Sequence, residues 1–409
     1  MTVSIKSEKD VPAIKGGKPV RKEFLILGSP LIGEEEIREV VDTLKSGWLS
    51  TGPKTRRFEE AFKNYVGSAY AVALNSCTAS LHLCLLVNEI GPGDEVLVSP
   101  MTFAATVNVI EHVGAKPVFV DIGDDDFNID PQKIGRAITR KTKAVIPVHF
   151  AGLPCRMDEI SEIARKHRLI VIEDAAHAVG SEYRGRKIGS ISDFACFSFY
   201  ATKNLTTAEG GMVTTPHREM ADKIRIMSLH GMDLGAWQRY EKRGKRHYDI
   251  QVPGYKYNMT DLVASLGIHQ LEKLEAFIRI RQEYAAFYRS NLQEIEELIL
   301  PPDGTEEVRH SWHLYPLRLR LERLKADRDD LTLAIQEENI ATGIHYRAVH
   351  LHPYYRNKYG YREGDFPNAE AVSSSVFSVP FQPKMTTQDL EDVVRALKRV
   401  IRWYRKRNG

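Results

Sequence analysis

The stretch "LIVIEDAAHAVG" (residues 169–180) decides the fold. Leu169 to Ile172 are apolar without alternation, and the run stops at two acids, Glu173 and Asp174. A strand that is apolar on both faces belongs to a parallel sheet covered on both sides by helices. Working outward, comparable β-rich runs recur at "AVAL" (71–74), "EVLVSP" (95–100), "KPVFVDI" (116–122), "KAVIPVHF" (143–150) and "FACFSF" (194–199). Helix-like segments such as "TASLHLCLLVNEIG" (78–91) and "RMDEISEIARKHR" (156–168) lie between several of them. This alternation predicts a largely parallel α/β sheet, in which ligands bind beyond the carboxyl ends of the strands.

Three such ends carry chemistry. Asp174 stands where an apolar strand runs out, and an acid there needs a cation, a metal or backbone amides, so a structural ion pair and a site are both open. His177, three residues on, reads by itself as a packed histidine. In "ALNSCTASLHL" (73–83), Ser76, Cys77 and Thr78 precede an apolar helix, whose free amides and dipole suit an anion. Plain capping by Ser76 or Thr78 accounts for the same residues. In "CFSFYATKNLTTAEGGMV" (196–213), Ser198 closes a strand and Lys203 follows five residues later. A lysine in a water-poor pocket has a depressed pKa and forms Schiff bases with aldehydes. Pyridoxal 5'-phosphate (PLP) needs such a lysine, a carboxylate that keeps its pyridine nitrogen protonated, and a phosphate cradle. The three segments supply one of each, and it is the combination that points to this cofactor.

Other classes are disfavoured. With 57 basic and 54 acidic residues, the net charge of +3 argues against a nucleic-acid partner. The basic C-terminus "RALKRVIRWYRKRNG" (395–409) sits on a helical pattern whose other face holds Val393, Leu397, Val400, Ile401 and Tyr404, as in a last helix with a solvated cationic side. Four cysteines without CxxC or Cys/His spacing predict reduced thiols and no metal, and no apolar run is long enough for a membrane span. A polar N-terminus adds the expectation of a cytoplasmic protein. "SGWLSTGPKT" (46–55) imitates a P-loop, but Pro53 intervenes and no strand precedes it. The stretch 231–252 reads as a functional lid or a partly disordered loop. Thr260 is placed to cap a long helix that follows.

The motifs "GWLSTGP", "NSCTASLHL", "SPMTFAATVNVI", "IEDAAHAVGSEYRGRKIG", "CFSFYATKNLTTAEGGMV", "GYKYNMTDLVASLGIHQLEKL", "GIHYRAVHLHPYY" and "FSVPFQPKMT" follow one another in an order that resembles the DegT/DnrJ/EryC1/StrS family of PLP-dependent sugar aminotransferases. The likeness runs from about residue 25 to 405. It implies fold type I, the aspartate aminotransferase-like α/β fold: a large domain with a mainly parallel seven-stranded sheet, and a smaller α/β C-terminal domain. The expected division is an extension over 1–24, partly disordered, a PLP-binding domain over 25–265 and a small domain over 266–409. By resemblance, Lys203 forms the internal aldimine and shuttles the proton, and Asp174 pairs with the pyridine nitrogen. Phe103 stacks on the ring, and His177 lies against it near the phenolic oxygen. Cys77, Thr78 and Ser198 match the phosphate cradle. Lys256 matches a residue that reaches the phosphate of the partner subunit in a homodimer; many relatives have Asn there, as many have Gly or Ala at Cys77. Trp48, His230, His313, His345 and Tyr346 fall in segments that match the substrate side.

The implied reaction moves an amino group from an amino acid, usually glutamate, through the pyridoxamine phosphate form to a nucleotide-linked keto-sugar. Two other readings stand beside it. Keto-sugar dehydratases of the same family carry histidine in place of the aldimine lysine, so Lys203 argues for transfer. A regulatory protein with a degenerate PLP site is the third reading, and the competent residue at every principal position argues against it.

Overall fold

The computed structural model describes residues 11–233 and 247–406. Two helices, α1 (Glu34–Ser46) and α2 (Pro53–Val66), precede the sheet. The chain then alternates as β1 (Tyr70–Leu74), α3 (Cys77–Val87), β2 (Glu95–Val98), α4 (Ala104–His112), β3 (Lys116–Phe119), α5 (Pro131–Ala137), β4 (Thr142–Ile146), α6 (Met157–His167) and β5 (Ile170–Asp174). A short hairpin, β6 (Glu182–Tyr183) and β7 (Arg186–Lys187), leads to β8 (Phe194–Ser198), β9 (Gly211–Thr215) and α7 (Arg218–Met227). The seven long strands form one sheet in the order β1-β9-β8-β5-β4-β2-β3. Five neighbours run parallel from β8 to β3, and β9 lies antiparallel to both β1 and β8.

Both faces of the sheet are covered, as its unalternating strands require. On one side Phe58, Phe62, Phe197 and Phe199 pack edge to face, together with Ile268 and Ile278. On the other, α3 and α4 press Leu81, Leu85, Val107 and Ile110 onto Val98 and Val213. The nearly all-apolar α3 has no polar face because it lies entirely within this layer.

The 32-residue helix α8 (Asp261–Leu292) belongs to two cores. Ala264 to Ile278 pack with the large sheet, while Ala285, Tyr288 and Leu292 pack with the C-terminal lobe. The division at 265/266 expected from sequence therefore falls inside α8, and by packing the large lobe extends to about Ile278. After α8 the chain adds β10 (Leu298–Ile299), β11 (Val308–Arg309), β12 (Pro316–Leu319), α9 (Arg328–Gln336), α10 (Pro353–Tyr359), α11 (Pro367–Ser375), β13 (Val376–Ser378) and α12 (Thr387–Tyr404). Of these, β11 pairs with β6 and α10 packs Tyr355 against the large sheet, while β10, β12, α9, β13 and α12 build the core of the C-terminal lobe. In α12, Val393, Leu397, Val400 and Ile401 are buried as their spacing predicts.

Two main-chain anchors depart from expectation. Thr260 holds the N-cap position of α8 but gives no side-chain cap. The next residue, Asp261, turns its buried carboxylate to the start of α2 instead. There it accepts from the amides of Gly52 (2.8 Å), Lys54 (3.1 Å) and Thr55 (2.9 Å) and from the Thr55 hydroxyl (2.7 Å). The P-loop look-alike is thus the entry to a helix capped from elsewhere in the chain. The described part of the N-terminal extension, 11–24, is likewise held. Buried Glu338 accepts from the amides of Ala13 and Val20, both at 2.9 Å, and Arg21 pairs with Asp389 and Asp392.

Candidate active site

The carboxyl ends of β5 and β8 and the start of α3 open into one cavity of about 550 Å³. β5 stops at Asp174 because its carboxylate folds back on the chain: Oδ1 accepts the Ala176 amide at 3.1 Å. Oδ2 accepts from Thr106 Oγ1 at 2.6 Å, and Thr106 shares a 2.8 Å hydrogen bond with Thr102. Asp174 is thereby fixed and only 5 % exposed, with lone pairs left for a cationic N–H from the cavity.

Lys203 comes from a loop closed at its neck. The amides of Phe199 and Thr207 donate to the carbonyls of Gly210 and Phe199, and the Lys203 amide donates to the Tyr200 carbonyl, each at 2.9 Å. Lys203 is half-buried and lines the cavity. Burial lowers its pKa to about 8, against the opposing pull of the Asp174 charge. A fraction of this lysine is therefore an uncharged nucleophile near neutral pH, as the water-poor reading of the sequence requires.

At the start of α3, Ser76 Oγ accepts the Ala79 amide at 3.1 Å, and the amides of Cys77 and Thr78 stand at the helix end with no intrahelical acceptor. Gly211 makes this end accessible to β9. A Cβ on it would lie 2.3 Å from the Ser76 carbonyl carbon and 2.6 Å from the Cys77 nitrogen. Ser76, Cys77, Thr78 and Ser198 all line the cavity. The Cys77 thiol itself donates to the Cys196 carbonyl, and burial pushes its pKa up, so its backbone and not its sulfur serves the site.

The opposite wall is aromatic and imidazole-rich. Phe103, 63 % exposed at the start of α4, offers a free ring face, with the Tyr346 ring 6.1 Å away. His177 Nδ1 accepts the Ala151 amide at 3.2 Å, so Nε2 carries the proton and donates to the Tyr346 hydroxyl at 3.2 Å. The His313 ring lies 4.4 Å from that of His177 and donates from Nδ1 to Asn204 Oδ1 at 3.3 Å. His345 Nδ1 meets Ser378 Oγ at 2.9 Å. Burial, reinforced by nearby charge, drives His177 and His313 far below the usual imidazole range and His345 to about 4. All three are neutral at physiological pH. Burial and the Asp174 charge hold the Tyr346 phenol above its usual range.

The structure thus brings ten of the thirteen sequence-derived residues to one cavity and leaves three outside it. Lys256, whose Nζ donates to Asn258 Oδ1 at 2.7 Å, and His230 share a separate hollow of about 370 Å³ with Ser50. Trp48 folds back over its own loop, with Nε1 donating to the Thr51 carbonyl. Of the stretch 231–252 read as a lid, residues 234–246 lie outside the described residues. Sequence reasoning missed Thr106 and Asn204. Thr106 sits inside "MTFAATVNVI", one turn past Phe103, but nothing local links it to a carboxylate 68 residues away.

Comparison with known proteins gives a consistent result. The family model described as the DegT/DnrJ/EryC1/StrS aminotransferase family matches residues 30–398. SpsC of Bacillus subtilis, a spore coat polysaccharide biosynthesis protein, is 50 % identical over 386 residues, covering 93 % of this chain and 98 % of its own. Among solved structures, Spr1654 of Streptococcus pneumoniae, assigned as a sugar aminotransferase, superposes in its pyridoxamine phosphate form with a TM-score of 0.88 at 37 % identity. The match covers 93 % of this chain and 99 % of that one, and a PLP form of the same protein gives 0.87. DesI, crystallised in the presence of its TDP-sugar product, superposes at 0.84 with 28 % identity over 96 % of each chain.

Proposed function

Because the chain belongs to the DegT/DnrJ/EryC1/StrS aminotransferase family and is a PLP-dependent sugar aminotransferase of amino-sugar biosynthesis, we propose that it transfers the amino group of L-glutamate to a nucleotide-linked keto-sugar. The observation that carries the reading is the Lys203 amine, lowered to about 8, in one cavity with buried Asp174 and the free amide end of α3. DesI and SpsC support the substrate class: the first is crystallised in the presence of its TDP-sugar product, and the second is a spore coat polysaccharide biosynthesis protein.

The residues fit the cofactor. Asp174, anchored by Thr106 and Ala176, suits a protonated ring nitrogen; the amides of Cys77 and Thr78, with the Ser198 hydroxyl, suit a phosphate; Phe103 suits a ring face. Bound there, PLP supplies an aldehyde that condenses with amines and a ring that takes up the electron pair of the broken C–H bond. Lys203 holds and moves the proton. In its neutral form the amine takes it from the substrate carbon, and as ammonium it returns it at the cofactor side, then the reverse in the second half. Asp174 keeps the ring nitrogen's proton in place by charge. His177, fixed as the Nε2–H tautomer, donates a hydrogen bond without adding charge. The neutral His313 and His345, with the Tyr346 hydroxyl, form a wall that hydrogen-bonds sugar hydroxyls. Lysine at 203, where dehydratases of the family have histidine, favours transfer.

The reading includes a homodimer. The outer face of α1 is apolar, with Ile37, Val41 and Leu44 exposed while Glu36 and Thr43 are buried, and a second copy would cover it. Lys256 would then serve the partner's phosphate. The test is optical. Glutamate should bleach the yellow holoenzyme, and a nucleotide keto-sugar should restore the colour; bleaching that no such sugar reverses would overturn the acceptor class.

A further inference from the structure

Arg281, in the middle of α8, is a cation buried to 2 % exposure, and among the described residues no carboxylate pairs with it. Its Nη1 serves three main-chain carbonyls: Trp312 and His313 at 3.2 Å and Phe381 at 2.9 Å. The guanidinium lies 5.6 Å from the Phe381 ring centroid, and its Nε has no partner. A buried charge without a counter-ion is costly, and it persists where it holds something in place.

What it holds is the wall of the site. Trp312 adopts a left-handed backbone (φ 52°), which an ordinary side chain adopts only when its surroundings impose it. The loop around it is tied to the large lobe at several points. The Ser311 and His313 amides donate to the carbonyls of Gly152 and Ala151, and Ser311 Oγ donates to the His177 carbonyl. Asn204, the residue after Lys203, grips the same loop with both ends of its amide: Nδ2 donates to the Ser311 carbonyl at 2.9 Å, and Oδ1 accepts from His313. A continuous chain of contacts therefore runs from Arg281 through loop 311–314 to Asn204 and the turn that presents Lys203.

We propose that Arg281 is a positioning residue, which sets the Lys203 turn and the His177–His313 pair by gathering the carbonyls of loop 311–314 and Phe381. The role rests on the aminotransferase chemistry and not on which sugar is used. A lysine is a poor replacement, since its shorter stem stops short of the Nη1 position and its ammonium has no flat face to lay against the Phe381 ring. The titratable groups that share the cavity with Lys203 and feel its charge are Asp174, Cys77, His177, His313 and His345. Loosening the loop admits water among them and stabilises the protonated form of the Lys203 nitrogen, which in holoenzyme is the nitrogen joined to the cofactor aldehyde.

The test uses holoenzyme with Arg281→Met and Arg281→Lys, read by the pH midpoint of the visible cofactor band and by steady-state kinetics. Expected are an upward midpoint change on the order of half a pH unit and a loss of kcat of about tenfold or more, with KM for the donor changed little. Lysine should not rescue. Asn204→Ala, which cuts the other end of the chain, should move the midpoint in the same direction, and the double variant should add little to either single change. An unmoved midpoint and kcat in Arg281→Met, full rescue by lysine, or strict additivity with Asn204→Ala overturns the proposal. If Arg281→Met does not fold, Asn204→Ala decides alone, an unmoved midpoint being the refuting result. A wild-type protein that takes up no PLP would instead overturn the enzyme assignment.

Discussion

Replacing Lys203 by methionine should make the cofactor-free protein more stable while abolishing turnover. The amine's pKa falls from 10.5 to about 8, chiefly because burial strips water from the charged form, with Asp174 compensating only in part. At about 1.4 kcal/mol per pKa unit, the fall corresponds to roughly 3 kcal/mol charged against the folded state whenever the lysine is protonated in both folded and unfolded chains. The sign follows from proton counting. Below pH 8 both states bind the proton and the whole penalty applies; between 8 and 10.5 the unfolded chain binds more protons, so the wild type gains stability as pH rises. Methionine has a similar volume and no charge, so the variant escapes the penalty. Urea denaturation of the cofactor-free proteins should show Lys203→Met more stable by about 3 kcal/mol at pH 7, the gap closing towards pH 10.5. A variant that is no more stable at pH 7, or a gap that does not change with pH, refutes the claim that the site is built at the expense of the fold.

Other outcomes follow from individual contacts. Asp174→Asn keeps the shape but removes the charge opposite the ring nitrogen, and kcat should fall on the order of a hundredfold to a thousandfold in single-turnover absorbance measurements. Gly211→Ala drives a methyl into the Ser76 carbonyl and the Cys77 amide, so fluorescence titration should show PLP affinity reduced about tenfold or more; unchanged affinity would show that the start of α3 is not the phosphate cradle. Asp261→Ala strands three amides and a hydroxyl at the buried start of α2, at a cost of about 3–5 kcal/mol in chemical denaturation.

The large sheet was legible because its signal is local. Runs such as "KAVIPVHF" and "LIVIEDAA" name their strands and, at their polar ends, the places where a site can form; β5 and β8 lie within two residues of their runs, while β4 stops at Ile146, four residues short of the end of its run, where Pro147 follows. The site was legible for the same reason. Asp174, Ser198 and Cys77 stand at element ends, and Lys203 is on the loop after one. The antiparallel insertion of β9 between β1 and β8 left no such mark, since pairing direction is a property of the path between strands and not of the strand's own residues.

Three further groups that stayed hidden share one physical cause. Asp261, Glu338 and Arg281 are ionic groups that serve the main chain: amides of the α2 start, amides of the N-terminal extension (where Glu338 also pairs with Arg399), and carbonyls of the 312–313 and 381 segments. A side-chain partner of opposite charge can be sought in a sequence, but every residue has a carbonyl and nearly every one an amide, so these partners carry no label. Each of the three groups also joins segments separated by long stretches of chain, where spacing rules for helices and strands do not reach. Their burial is affordable because a main-chain partner offers fixed dipoles without side-chain entropy to lose. It follows that a search confined to cavity-lining positions would pass over Arg281.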